Sequence, residues 1–175
     1  MNTIEITAED VPLPAPEDRI VAFVNAVLLR LNRTQHELSI LFCTDDRIRK
    51  VNLAFRGKDE ATDVLSFAQD EDGDAQDTHA QEDDAASAAN VAAVSKREDM
   101  QPESLHLLGD IVLALPYLRR QAEEYKVSFE SELKRMLVHG MLHLVGVHHN
   151  TEEQHRTMLD RQEALLQELE QEYRF

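Results

Sequence analysis

The sequence predicts a single domain that combines α-helices and β-strands. Its 175 residues suffice to bury one substantial core but are few for two. Short apolar stretches rich in β-formers occur between longer stretches in which apolar residues recur every three or four positions, patterns typical of strands and amphipathic helices. With 42% hydrophobic and 30% charged residues, the composition is that of a folded globular protein.

Four segments are predicted to form β-strands. Near the N-terminus, Ile4 and Ile6 alternate with polar residues, which indicates a short strand. The other three segments are apolar runs enriched in β-forming residues, and they cover Glu37 to Thr44, Asp63 to Ala68 and Leu107 to Leu115. We expect the last two of these to lie in one sheet.

Five segments are predicted to form helices. Thr44 with Asp45 and Thr151 are suitable N-terminal caps, and Pro116 suits the first turn of a helix. A glycine at 146 is expected to end the fourth helix. The predicted helices cover Glu17 to Leu31, Asp45 to Phe55, Pro116 to Tyr125, Ser128 to about Gly146, and Thr151 to Glu172.

The charge is concentrated in one segment. The net charge of −16 is unusual for a nucleic-acid-binding protein, since phosphate contacts normally require lysine and arginine. Residues 69–103, however, contain 11 acidic and 2 basic side chains and few large apolar ones. We interpret this segment as a disordered or weakly helical insertion in one domain spanning residues 1–175. Residues 104–150 are balanced, with 5 acidic and 5 basic side chains.

The expected compartment is the cytoplasm. The chain shows neither a signal-peptide pattern nor an apolar run long enough to span a membrane. Cys43 is the single cysteine, so an intramolecular disulfide is impossible. It lies in an apolar stretch, which predicts a buried thiol.

The strongest chemical signal is a group of histidines near the end of the fourth predicted helix. His139 and His143 are four residues apart, so they lie on one helix face and can bind a common ion. Gly146 can terminate the helix and turn the chain back, which would let His149 supply a third ligand. Three imidazoles leave one position of a tetrahedral zinc open, as in catalytic zinc sites.

The histidines also allow interpretations other than metal binding. Two histidines at helical spacing are more often ordinary surface or core residues, but three with an intervening glycine favour a metal site. His148 is an alternative ligand or a supporting residue. Four further histidines are isolated in the sequence and are predicted to be non-ligands: His36, His79, His106 and His155.

The spacing also resembles that of zincin-like metallopeptidases, in which a glutamate follows the first histidine and serves as the general base. Here Gly140 occupies that position. A peptidase is therefore the weaker hypothesis.

Three sequence blocks resemble the YbeY family, bacterial rRNA maturation factors that are single-strand-specific metallo-endoribonucleases. The resemblance covers nearly the whole chain apart from residues 69–103. The blocks are VNLAFRGKD at 51–59 continuing to TDVLSF at 62–67, LGDIV at 108–112, and HGMLHLVGVHH at 139–149.

The resemblance implies an α+β fold in which a small mixed β-sheet packs against helices, with the metal-binding helix central. It implies one zinc ion bound by His139, His143 and His149, other divalent metals remaining possible, and it places Arg56 in the same cleft. The implied substrate is single-stranded RNA at the 3′ end of 16S rRNA, with a role in ribosome quality control and ribosomal proteins as further partners.

A planar guanidinium at Arg56 could grip two phosphate oxygens and offset charge in the transition state. Asp110 lies in an apolar strand, where it could orient a ligand or make a structural hydrogen bond. The basic groups expected to contact RNA are Arg56, Lys58, Arg119 and Arg120. A ribosome-associated binding factor with a structural metal remains an alternative function.

Two departures from the family pattern stand out. Val147 and His148 replace a common Tyr-Asp pair, and the acidic insertion replaces a short connector.

Overall fold

Helices and strands of a computed structural model are described for residues 1–69, 105–147, 151–169 and 172–175. The strands in this part of the chain are β1 (Thr3–Ala8), β2 (His36–Cys43), β3 (Val64–Ala68) and β4 (His106–Ala114). The helices are α1 (Glu17–Arg30), α2 (Asp45–Arg56), α3 (Leu115–Tyr125), α4 (Phe129–Leu144) and α5 (Glu152–Leu169). Each predicted strand and helix is confirmed, with shifts of a few residues at the ends. The predicted insertion lies outside the described residues, except for its first residue, Gln69.

The four strands form one mixed sheet in the order β1-β2-β4-β3. β1 pairs with β2 and β2 pairs with β4 in parallel, whereas β3 pairs with β4 antiparallel. Strand β3 is therefore an edge strand of the sheet. The expected α+β fold with a small mixed sheet is confirmed.

Side-chain caps fix the starts of three helices. The hydroxyl oxygens of Thr44, Ser128 and Thr151 accept hydrogen bonds from the backbone N–H three residues later, at 3.3, 3.0 and 3.2 Å. Each bond satisfies one of the donors that a helix start leaves without a partner. These caps set where α2, α4 and α5 begin.

Helix α4 lies at the centre of the molecule. It contacts strands β3 and β4 and helices α1, α3 and α5. Its buried side chains include Leu137, Val138 and Met141, which belong to the main hydrophobic core. A smaller cluster around Ile48 and Leu65 fills the space between the sheet and α2. The expected central position of this helix is confirmed.

Cys43 lies in the smaller cluster and is fully buried. Burial raises the pKa of its thiol to about 11. The predicted buried thiol is confirmed. None of the helices within the described ranges is long and apolar enough to cross a membrane.

Two glycines allow α4 to approach the sheet closely. A Cβ atom on Gly140 would lie 3.1 Å from the Ile111 side chain of β4. A Cβ atom on Gly109 would lie 2.1 Å from the carbonyl oxygen of Phe67 and 3.0 Å from Leu144 Cδ2. Gly109 has a φ of +140°, which L-amino acids rarely adopt. The ends of β3 and α4 therefore meet at a position where a side chain does not fit.

We expect Gly109→Ala to lower the free energy of unfolding by more than about 3 kcal/mol, because its methyl group would collide with main-chain atoms in an unfavourable backbone conformation. Gly57→Ala is a matched control. Gly57 also has a positive φ, of 66°, but no atom lies within 4 Å of an added Cβ. Gly57→Ala should lower the free energy of unfolding by about 1–2 kcal/mol, from backbone strain alone. Urea unfolding of the two variants measures both values, and equal losses would contradict the packing argument.

Candidate metal centre

His139 and His143 face each other one turn apart on α4. Their Nε2 atoms are 3.1 Å apart, and their ring centroids are 4.7 Å apart with the planes at 69°. Two nitrogens that each lie about 2.0–2.1 Å from a tetrahedral zinc are separated by about 3.3 Å. The pair thus has the spacing expected of two ligands of one ion.

The two histidines lie on the solvent-accessible side of a largely buried helix. Both are half-buried, whereas Val138, Met141 and Leu142 around them are fully buried. Their imidazoles therefore have a rigid packed surface beneath them and solvent access on one side. A catalytic site needs this combination of fixed ligands and an open face.

The chain reverses direction directly after the histidines. Gly146 has a φ of +81°, and its N–H donates to the carbonyl of His143 at 3.0 Å. The N–H of Val147 donates to the carbonyl of Leu142, also at 3.0 Å. These bonds form the glycine-dependent helix end that the sequence predicted. His149 and His148 lie outside the described residues, so the third ligand stays a prediction.

Gln162 supports His139 from helix α5. It is 1% exposed, and its Oε1 atom lies 3.2 Å from His139 Nδ1. An amide oxygen accepts hydrogen bonds only, so Nδ1 must carry the proton, which leaves the Nε2 lone pair directed toward His143. Sequence reasoning missed Gln162. It sits four residues after Met158 and three before Leu165 on the buried stripe of α5, so an amide in an apolar position was the available signal.

Gly140, which occupies the position of the peptidase glutamate, is buried against Ile111 of strand β4. An added Cβ at Gly140 would already lie 3.1 Å from Ile111. A glutamate at this position would require the Ile111 side chain to shift by a few tenths of an ångström. The structure thus gives a packing reason for the glycine and weighs against the peptidase hypothesis.

Arg56 is the last residue of α2 and is exposed. Gly57 follows in the left-handed conformation and turns the chain back. Buried Asn52 donates from Nδ2 to the carbonyl of Glu60 at 2.9 Å. Arg49 holds Asp59 through two bonds of 2.7 and 2.9 Å, which lower the pKa of the Asp59 carboxyl. Asp59 and Glu60, shortly after Arg56 in the chain, are thus held against helix α2 by side-chain hydrogen bonds.

Edge strand β3 separates the end of α2 from the end of α4. The smaller hydrophobic cluster, which α2 covers, includes Leu65 and Phe67 of β3, whereas Val64 packs against the main core together with α4. Helices α2 and α4 both contact β3. Arg56 and the histidine pair are therefore placed at the same edge of the sheet, on helices that cover its opposite faces.

The other basic residues expected to contact RNA differ in their surroundings. Arg120 is paired with Asp45 at 2.6 Å, and Arg119 lies over the Phe129 ring at 4.3 Å. The side chain of Lys58 is exposed and, like that of Arg56, has no ion pair or hydrogen bond within the described residues.

Asp110 has a structural contact. Its Oδ2 atom accepts a hydrogen bond of 2.8 Å from Gln69. Its neighbour Ile111 faces α4, so Asp110 points to the opposite face of the sheet. His36 and His106 contact each other at the first residues of β2 and β4, with ring centroids 5.5 Å apart. His79 lies outside the described residues.

The fold and the histidine pair define a class of small α+β protein whose central helix carries two potential metal ligands. Comparison with known proteins identifies the family. The profile of the endoribonuclease YbeY family matches residues 3–170, so the chain belongs to the YbeY family.

Individual relatives agree with this assignment. An endoribonuclease YbeY from Brevibacillus brevis is 33% identical over 170 residues, which are 97% of this chain and 98% of the relative. The protein of the same name from Geobacillus kaustophilus is 39% identical over 165 residues, covering 94% of this chain and 90% of the relative. The solution structure of TM1509 from Thermotoga maritima has a TM-score of 0.52 and 20% identity, covers 97% of this chain and 93% of its own, and supports the fold.

We expect Gln162→Leu to release His139 from the Nδ1–H tautomer, because leucine removes the amide oxygen that accepts this proton in the observed contact. ¹⁵N NMR of the metal-free imidazoles distinguishes the tautomers. Gln162→Glu retains an acceptor and should keep the Nδ1 proton. An unchanged tautomer in Gln162→Leu would show that other contacts of His139 fix it.

Proposed function

We propose that this endoribonuclease cleaves single-stranded RNA with a zinc ion bound by His139, His143 and His149. The observation that carries the proposal is the 3.1 Å separation of two Nε2 atoms on the half-buried stripe of the central helix. Imidazole ligands suit zinc, although the same nitrogens accept other divalent metals. Membership of a family of endoribonucleases makes RNA the substrate.

The role of the protein in this chemistry is to fix the ligands and leave a face open. A zinc ion held by three imidazoles would supply Lewis acidity and would lower the pKa of a bound water to about 7. Gln162 holds the proton of His139 on Nδ1, which keeps Nε2 available as a ligand. The solvent-facing side of the pair is the side from which a phosphodiester can approach.

Arg56 is proposed to bind the scissile phosphate. Its guanidinium is exposed at the end of a capped helix, and the fixed segment beside it limits the positions that it samples. A planar guanidinium can donate two hydrogen bonds to phosphate oxygens and offsets the charge that develops as the phosphodiester is attacked. The arginine acts electrostatically and need not transfer a proton.

The biological substrate is proposed to be rRNA of the small ribosomal subunit, cleaved during 16S rRNA 3′-end maturation and ribosome quality control in the cytoplasm. The support is the resemblance of the blocks at 51–67, 108–112 and 139–149 to the YbeY family. Ribosomal proteins are the proposed protein partners. Such partners would help a chain with a net charge of −16 to approach RNA.

We expect His139→Ala and His143→Ala each to abolish stoichiometric zinc binding and RNA cleavage, because the remaining ligands cannot hold the ion. Elemental analysis of the purified proteins measures the metal, and a labelled single-stranded oligonucleotide reports cleavage. His36→Ala, outside the helix, serves as the control and should retain both. Full zinc content in either α4 variant would refute the ligand assignment.

Arg56→Glu should retain zinc but reduce the cleavage rate by about 10²–10³-fold, the loss typical of removing one charge-stabilising donor. Lys50→Glu makes the same kind of charge reversal on the exposed side of α2 and is the matched control. Cleavage kinetics at fixed ionic strength separate a local contact from a change in overall charge. Equal losses in the two variants would remove Arg56 from the mechanism.

A further inference from the structure

We propose that Phe55 and Phe67 form a stacking site for one unpaired base of the RNA substrate, beside Arg56. The proposal rests on the proposed function and adds to it a base-binding position on the protein. The aromatic pair consists of Phe55 on the last turn of α2 and Phe67 on edge strand β3, with ring centroids 5.0 Å apart and planes at 55°.

Phe55 is the one exposed phenylalanine of the chain, all six of which lie in the described residues. It is 58% exposed, whereas Phe23 and Phe42 are fully buried and the remaining three are half-buried. Phe67 contacts the Phe55 ring and itself packs against the smaller hydrophobic cluster. One ring is thus held in place by another and still presents much of its surface to solvent.

The charges around the aromatic pair suit a nucleic acid. Arg56 and Lys58 follow Phe55 closely in sequence, are exposed, and make no ion pair within the described residues. By contrast, Arg47 and Arg49 on the same helix are neutralised by Glu9 and Asp59. An aromatic face beside free cations is how proteins bind a single strand, with the base on the ring and the phosphate on the cation.

The aromatic pair is linked to helix α4, which carries the histidine pair, through a short chain of contacts. The carbonyl of Phe67 and the side chain of Leu144 both press against Gly109, and Leu144 directly follows His143. A base stacked on Phe55 would therefore lie at the same sheet edge as the proposed metal ligands.

The aromatic pair also gives a physical reason for preferring single strands. A base in a duplex has both faces covered by its neighbours, whereas an unpaired base can turn outward and stack on a side chain. A phenylalanine ring offers no hydrogen bond to a base edge, so the contact tolerates all four bases. We therefore expect selectivity for unpaired RNA without strong sequence preference at this position.

The test combines Phe55→Leu with abasic RNA. Zinc-loaded protein is titrated with a fluorescent single-stranded 2′-O-methyl oligonucleotide, whose integrity is checked on a gel after each titration, and with a set of oligonucleotides that each lack one base. Wild type should bind about 10-fold more weakly when one particular base is missing. Phe55→Leu should bind the intact strand with a similar loss and show no further loss with that abasic strand.

Two further variants control for folding and for general hydrophobicity. Phe55→Tyr keeps the ring and should retain wild-type affinity, whereas Leu53→Ala removes a neighbouring exposed apolar side chain and should leave affinity unchanged. Thermal unfolding of all variants checks the fold, which Phe55→Leu should preserve because the leucine still covers Phe67.

The outcomes separate this proposal from the proposed function. If wild type and Phe55→Leu bind the intact RNA strand with equal affinity, the stacking site is overturned. This holds even if zinc binding and cleavage are intact. Non-additive losses from the missing base and the missing ring support it, even if zinc-free protein cleaves RNA as well as the zinc-loaded form and the metal mechanism fails.

Discussion

The close contact between helix α4 and strand β4 is the constraint on which the rest of the structure depends. Gly140 lets the helix lie against Ile111, and Gly109 lets the end of α4 and the main chain of β3 meet at one point. Because each glycine leaves room for a side chain of the facing element, Ile111 or Leu144, the buried face of α4 is fixed by packing at interior density. The histidines on its other face therefore have little freedom to move.

This rigidity has a chemical consequence. Two imidazoles on a frayed helix would adopt many orientations, and ordering them would cost conformational entropy whenever a metal binds. Here the helix is buried, His139 is held by Gln162, and the turn at Gly146 directs the chain back immediately after His143. Preorganisation of ligands in this way favours metal affinity and a defined open face.

The proposed functional groups lie at one edge of the sheet. Strand β3 is covered by α2 on one face and α4 on the other, so the C-terminal ends of both helices lie beside it. The arginine, the exposed phenylalanine and the histidine pair come from segments more than 80 residues apart in sequence. Their common location is a property of the mixed sheet, in which β3 pairs antiparallel to β4 and closes that edge.

The sequence by itself determined the helices, the strands, the caps at Thr44 and Thr151, the turn at Gly146 and the pairing of His139 with His143, because each depends on neighbours within a few residues. Tertiary structure alone decided that Gln162 supports His139, that Phe67 supports Phe55, and that Arg120 is paired with Asp45. The physical reason is that these contacts join elements distant in the chain, and their geometry follows from how the helices pack on the sheet.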